Sequence, residues 1–332
     1  MKNARKRTPA RRVGPSFKRT TLLLSSYWLG IQGFGPVQPA TRFYFELNAH
    51  RPQLGFLSFD LDDTLFHTGK VVRSANEAMV QAMKDRGCAN VTIPDFLATT
   101  RSIRKTLDNP TTYQDLRKLS IRKAFELSNT LDSNADLDVF VNDCYEAWLN
   151  ERHAAAERFV FDDAIETLSQ LRSLYPDACF AAITNGAGDP LAMPNTLAPF
   201  FDFRVSGEDA DIFPYRKPHS FIYEYALQKY EETDSSSGVW CHVGDCLAND
   251  VGASAKCGAR SIWMCLEKDE DSAASRLTDQ KTPEWSTAPK QEMEQRAKQV
   301  EEGRNAVSAK ISSLSELPEV ITLILEDSRE LE

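Results

Sequence analysis

The stretch Leu54–Leu65, reading LGFLSFDLDDTL, constrains this chain most. An apolar run ends in Phe59, short enough for one buried strand of a parallel sheet. Asp60, Asp62 and Asp63 then arrive together, followed by Thr64. Burying three carboxylates at a strand's end is costly without a cation or strong donors nearby. Strand side chains alternate, so Asp60 and Asp62 point to one side and Leu61 to the other. Two carboxylates on one side of a sheet's carboxyl edge, beside a hard divalent cation such as Mg²⁺, suit a nucleophile and a general acid/base. Taken alone, the stretch also reads as a solvated acidic turn after a strand.

The chain after Leu65 turns helical. Ala75, Ala78, Met79, Ala82 and Met83 recur at near-helical spacing, and Gly87 closes that segment. Thr99–Asn109 is polar and basic. Tyr113–Leu127 and Leu137–Asn150 read as two more amphipathic helices. Residues 69–158 therefore form a helical block inserted after the first strand, the pattern of a cap. From Phe159 the chain alternates. Helices are predicted over Asp162–Leu174 (Asp162 as N-cap), Pro218–Tyr230 and Leu247–Cys257, with a short helical piece at Pro194–Phe200. Strands are predicted over Cys179–Thr184, Phe203–Val205, Val239–Val243 and, last, Ala259–Cys265. Such alternation implies right-handed crossovers and a parallel sheet. The expected fold is α/β: a Rossmann-like core of residues 51–68 and 159–266, with the cap at 69–158. A polar, charge-rich insertion follows at 267–305. An apolar segment, 306–332, is expected to return to the core.

Charge is unevenly distributed. Residues 1–45 carry nine Lys/Arg and no acid, leaving 30 Lys/Arg against 48 Asp/Glu in the rest. So acidic a body argues against nonspecific nucleic-acid binding. The basic extension, residues 1–50, resembles an organelle transit peptide, for plastid or mitochondrion. A signal-peptide reading and a plain basic tail, leaving the protein cytoplasmic, stay open. Its apolar patch Leu22–Ile31 is too short and too polar for a membrane span. Seven Cys, an odd number with no CxxC, read as reduced core thiols, Cys246 among them as a space-filler. His67, His219 and His242 lack metal-ligand spacing and read as structural. Oligomeric state leaves no mark in the sequence.

In an open parallel sheet, ligands bind outside the carboxyl ends of the strands. Each end here carries candidate chemistry: Asp60-Leu61-Asp62-Asp63-Thr64, Thr184-Asn185-Gly186, Arg216-Lys217-Pro218, and Gly244-Asp245 with Asn249 and Asp250. These four segments resemble, in order and at similar intervals, the four signature motifs of the haloacid dehalogenase-like (HAD) hydrolase superfamily. DLDDT is similar to its DxDxT, ITN to the second motif, YRKP to the conserved-Lys third motif and GDCLAND to GDxxxND. The helical block lies where members with a helical C1-type cap carry theirs.

The resemblance implies roles. Asp60 would be the nucleophile, forming an aspartyl-phosphate, and Asp62 the general acid/base, its main-chain carbonyl also a metal ligand. Asp60, Asp245 and Asp250 would complete the Mg²⁺ site, Asp250 directly, through water or by orienting Lys217. Thr184, Asn185 and Lys217 would hold the phosphoryl group. Asp63 stands where many members have Gly, and could cap the turn. Four carboxylates against one phosphate repel one another, and one hard cation plus one Lys is the minimum to hold them. The expected activity is a Mg²⁺-dependent phosphatase acting on a small phosphorylated metabolite. A phosphomutase shares all four motifs, and a catalytically silent binding protein of the same family is a third reading. A C–Cl hydrolase is disfavoured, because haloacid dehalogenases lack an acid/base Asp at the position of Asp62. The basic residues Arg101, Arg104, Lys105, Arg117, Lys118, Arg122 and Lys123 of the cap could meet an anionic substrate or simply form a solvated face.

Overall fold

The computed structural model describes residues 52–128, 136–233, 237–266 and 298–328. The targeting reading of residues 1–50 and most of the charged insertion, 267–297, fall outside them. Six strands form one parallel sheet: β1 (Leu54–Phe59), β2 (Cys179–Thr184), β3 (Phe203–Ser206), β4 (Val239–Gly244), β5 (Arg260–Met264) and β6 (Val307–Ile311). Their order across the sheet is β3-β2-β1-β4-β5-β6. Strand order reverses between β1 and β4, and the crevice at such a switch point is where ligands bind.

β1 and β2 are buried along their whole length, as their unbroken apolar runs require. Alternate β1 residues feed two cores. Phe56 stacks on Tyr230 and Trp240, with ring centroids 4.9 and 5.7 Å away. Leu57 and Phe59 enter the opposite cluster, where Phe59 meets Phe201 edge-on at 5.9 Å. Each such buried side chain stabilises the sheet by about 1.5–3 kcal/mol. The centre of the sheet is thus the most rigid place from which to present Asp60.

Four helices follow β1 in succession: α1 (Thr68–Asp85), α2 (Ile93–Arg104), α3 (Tyr113–Leu127) and α4 (Leu137–Arg158). They enclose an apolar cluster of their own, with Met79, Met83, Phe96, Phe125, Phe140 and Trp148. The chain leaves for this layer and returns from it side by side: His67 N–H donates to Phe159 O (3.0 Å) and Phe161 N–H to Leu65 O (2.9 Å). A fifth helix, α5 (Ala164–Leu174), leads into β2; after β2 come α6 (Ser220–Glu231), the short α7 (Ala253–Lys256) and α8 (Leu317–Asp327). Among the described residues no helix is long and apolar enough to cross a membrane. All seven cysteines are free thiols, five of them buried.

Several elements differ from the sequence expectation. α2 has no counterpart in the sequence pattern: it buries only Phe96, Leu97 and Thr100, too thin a stripe to stand out, although Thr92 caps it by accepting from Asp95 N–H. α4 runs on to Arg158 instead of ending near Asn150, because its last turns bury Arg152, Ala155 and Ala156 in place of large apolar residues. The residue before α5 is Asp163, not Asp162. It makes no cap bond; its carboxylate instead accepts from Ser313 Oγ (2.5 Å) and Ser315 N–H (3.0 Å), tying down the C-terminal segment. The helix expected over Leu247–Cys257 divides into a π-helical turn, Leu247–Gly252, and α7. Strand β6 extends the sheet beyond Ala259–Cys265; as an edge strand it is half exposed, so its apolar pattern is weak.

Candidate active site

The carboxyl edges of β1, β2 and β4 bring Asp60, Asp62, Thr184, Asn185, Lys217, Asp245 and Asp250 to one place. Asp60 follows β1, its N–H donating to Val243 O at 2.8 Å, so the backbone of β4 fixes it. The Asp60 carboxylate is buried. Lys217 Nζ donates to its Oδ1 at 2.5 Å, and Thr64 Oγ1 lies 3.4 Å from its Oδ2. The same ammonium donates to Asp250 Oδ1 (2.7 Å) and to Ile183 O (2.7 Å), which uses all three of its protons.

Asp250 is reached by an unusual turn. In the π-helical segment both Asp250 N–H and Val251 N–H donate to Cys246 O, at 2.8 and 3.2 Å. The wide turn carries the Asp250 side chain back beneath Gly244. A Cβ at Gly244 would sit 2.4 Å from Asp250 Cβ, so glycine is required there. Asp250 Oδ2 accepts from Cys246 N–H at 3.0 Å. Cys246, read as a filler, caps the turn, its Sγ accepting from Asn249 N–H at 3.4 Å.

Behind Asp250 lies a buried polar chain. Trp240 Nε1–H donates to Ser58 Oγ at 2.8 Å, and Ser58 Oγ is 2.8 Å from His242 Nδ1. The indole nitrogen is donor only, and among the described residues Nδ1 is the acceptor in reach of the serine hydrogen, so the imidazole proton is assigned to Nε2. Nε2 faces Asp250 Oδ1 at 3.7 Å, beyond hydrogen-bond length. Burial holds His242 below its ordinary pKa, hence neutral.

The electrostatics separate the carboxylates. Burial pushes the Asp60 carboxyl up to about 7, against the pull of Lys217 and with the charges of Asp250 and Asp62 adding. Asp245, at the end of β4, is raised well above the carboxylate range by burial and then by Asp250, Asp60 and Asp63. Burial would raise Asp250 too, but Lys217 outweighs it and holds Asp250 to about 2. Lys217 is disfavoured by burial, but Asp250 and Asp60 keep it protonated.

One oxygen from each of Asp60, Asp245 and Asp250 lies within 4.8 Å of the others, all three residues buried. Among the described residues no donor reaches the Asp245 carboxylate, and one ammonium serves the whole group. An all-oxygen cluster with excess negative charge fits a hard divalent cation such as Mg²⁺ and not Zn²⁺. The Asp62 side chain, whose main-chain carbonyl the sequence reading places on the metal, is not in this group. Its Oδ1 and Oδ2 both accept from Arg152 Nη2 at 2.9 Å, and Oδ1 also from Thr68 Oγ1 at 3.2 Å.

The second and third motifs are laced together. Asn185 Nδ2–H donates to Lys217 O (2.9 Å), and Lys217 N–H donates to Asn185 Oδ1 (2.8 Å). The Asn185 carboxamide is thus engaged in holding the backbone of Lys217. Thr184 Oγ1 accepts from Gly186 N–H at 3.2 Å. A methyl placed on Gly186 would touch both Asp62 Oδ2 (3.4 Å) and Thr184 Oγ1 (4.0 Å), so these groups border one small space. Asp63 turns the chain in a left-handed conformation (φ 58°), and its Oδ1 accepts from Thr68 N–H at 3.0 Å. Nothing in the sequence singles out Arg152: it lies past the expected end of its helix, and no motif marks it. Beside Lys217 a cleft of about 510 Å³ opens, bordered by Arg104, Thr111, Asn185, Arg216 and His219.

Residues 57–258 match the haloacid dehalogenase-like hydrolase family. The chain belongs to that family. This HAD-like hydrolase is 26% identical over 231 residues to the 5-amino-6-(5-phospho-D-ribitylamino)uracil phosphatase YigB of Escherichia coli (strain K12), covering 69% of this chain and 89% of that protein. Its fold resembles that of a 2-haloacid dehalogenase from Pseudomonas syringae pv. Tomato DC3000, with a TM-score of 0.57 at 24% identity, over 81% of this chain and 99% of the other.

Proposed function

We propose that this HAD-like hydrolase is a phosphatase that cleaves a small phosphomonoester through an aspartyl-phosphate. The observation that carries the reading is the second carboxylate, Asp62, which shares with Thr184 the small space bordered by Gly186. Hydrolysis of a phosphoester needs a proton for the leaving oxygen and later a base for water; one carboxylate can do both. The phosphatase relative supports the same class.

In this reading an Asp60 carboxylate oxygen attacks phosphorus while the bond from phosphorus to the ester oxygen breaks. That oxygen takes the proton of Asp62. Asp62, now a carboxylate, removes a proton from water; the water oxygen attacks phosphorus, the bond from phosphorus to Asp60 breaks, and inorganic phosphate leaves. Thr184 Oγ1 and the Asn185 backbone N–H would donate to the phosphoryl oxygens. Lys217 offsets the charge of Asp60 and keeps its carboxylate aimed. Asp60, Asp245, Asp250 and the main-chain carbonyl of Asp62 would hold Mg²⁺, which when bound supplies positive charge to the phosphoryl oxygens. The helices of residues 69–158 act as the cap that excludes water and selects the leaving group. The adjacent 510 Å³ cleft is of metabolite size.

The test is phosphate release from sugar phosphates, nucleoside monophosphates, phosphoglycolate and 5-amino-6-(5-phospho-D-ribitylamino)uracil, with Mg²⁺ and with EDTA. Metal-dependent release that disappears in Asp60→Asn is expected. Release that persists in Asp60→Asn, or that EDTA leaves unchanged, would refute the mechanism.

A further inference from the structure

Arg152 lies in the helical insertion, far in sequence from every motif, yet its guanidinium reaches the catalytic edge. Its side chain is only 5% exposed. One nitrogen, Nη2, is 2.9 Å from both oxygens of Asp62. The carboxylate keeps 31% of its surface open, so the grip fixes its direction without covering it. The backbone after β2 lies against the guanidinium: a Cβ at Gly188 would lie 3.4 Å from Nη2, in van der Waals contact. On its other side Arg152 is backed by Trp148, one turn earlier on α4, with Cζ 5.8 Å from the ring centroid. Trp148 is itself fixed by its Nε1–H bond to Asn76 Oδ1 (3.2 Å) and by the Arg117 guanidinium, 3.9 Å from its ring.

A carboxylate at the end of a strand has a free torsion about its Cα–Cβ bond. For proton transfer it must meet the leaving oxygen within hydrogen-bond reach. Thr68 Oγ1 offers Asp62 one further bond, at 3.2 Å. The two contacts to one buried guanidinium are therefore the main restraint on its orientation. They come from the insertion and not from the sheet.

We propose that Arg152 is a positioning residue for Asp62: it aims the general acid/base, and it does so only while the helical insertion is seated on the core. This rests on the phosphatase reading. Asp62 is then in register with the phosphoryl site when the cap is closed and released when it lifts, so protonation of the leaving group is tied to cap position.

Leaving-group chemistry tests it. p-Nitrophenolate leaves without a proton, whereas an alkoxide needs one. The second-order constant kcat/KM reports the steps up to leaving-group departure. Native enzyme and Arg152→Gln are compared on p-nitrophenyl phosphate and on an alkyl phosphate from the preferred class, with Mg²⁺. General-acid catalysis contributes about 10²–10⁴-fold, and a misaimed acid loses part of it, so the alkyl-to-aryl ratio of kcat/KM is expected to fall about tenfold or more. The ratio is taken within one preparation, so a smaller folded fraction cancels. Arg152→Lys, which keeps a donor on the same helix, is expected to recover part of the ratio. An equal loss on both substrates would make Arg152 merely structural and overturn the proposal. So would a rise in the ratio, which would mean the guanidinium restrains the acid instead of aiming it. No release by the native enzyme from either substrate would instead overturn the phosphatase reading, and the proposal with it.

Discussion

In metal-free protein, Asp60 should make stability fall as pH rises. Burial holds its folded carboxyl at about 7, against an ordinary 3.8. Between those values the unfolded chain has released the proton and the folded chain has not. Folding there takes up a proton, so stability is complete below about pH 4 and is lost as pH climbs to 7. At about 1.36 kcal/mol per pH unit, the loss is about 4 kcal/mol, a large part of the ~5–15 kcal/mol that holds a domain together. Asp250 works in the opposite sense at lower pH. Its folded value of about 2 gives stability that is present above pH 4 and disappears as pH falls toward 2. Other groups titrate over the same range, so the measurement is differential. Urea unfolding of the native chain and of Asp60→Asn, followed by tryptophan fluorescence in EDTA from pH 4 to 8, should give curves that diverge by about 4 kcal/mol, the native chain losing more. Adding Mg²⁺ at pH 7 should return stability to the native chain, about 2.7 kcal/mol at one hundred times its dissociation constant, and less to the variant. Parallel curves in EDTA would refute the reasoning, because Asp60 would then ionise as freely when folded as when unfolded.

Three further outcomes are expected. Gly244→Ala puts a methyl 2.4 Å from Asp250 Cβ; the π-helical turn must shift, and Mg²⁺ affinity measured by calorimetry should drop with the sheet intact by circular dichroism. Asp63→Ala keeps the left-handed backbone but loses the bond to Thr68 N–H, which should cost about 1 kcal/mol for the lost hydrogen bond; Asp63→Gly loses the same bond but relieves about 1 kcal/mol of backbone strain, so it should unfold at higher urea than Asp63→Ala. The ¹⁵N spectrum of His242 should show a neutral ring protonated on Nε2, and Ser58→Ala should change its Nδ1 shift, since Nδ1 loses the hydroxyl that donates to it.

What was legible in the sequence is what depends on short-range pattern. The run from Leu54 to Phe59 is apolar on both faces, and the structure buries every residue of it. The acidic residues that follow each strand needed only the direction of a parallel sheet to be brought together, and Asp60, Asp245 and Asp250 do meet. Where the pattern thins, legibility fails. α2 buries three residues, β6 runs along an edge, and the turn at Leu247–Gly252 is wider than a 3.6-residue period can describe. Asp63 shows the intermediate case: its place could be flagged as one for glycine, but only φ 58° tells why.

Arg152 marks the limit most clearly. Periodicity reports how apolar residues recur along one helix, and α4 spends its final turns on an arginine and small alanines, so the pattern stops before the helix does. The significance of that arginine is set by two other segments: the strand end that presents Asp62 and the turn after β2, whose Gly186 and Gly188 lie against the guanidinium. No spacing in one chain encodes a three-way meeting of that kind. Motifs in this fold sit on the sheet, where the chemistry is fixed. The residues that tune it arrive from the insertion, through contacts that exist only once both layers have formed their own cores. On the proposed function, variation in the insertion would alter how Asp62 is aimed without touching any signature residue.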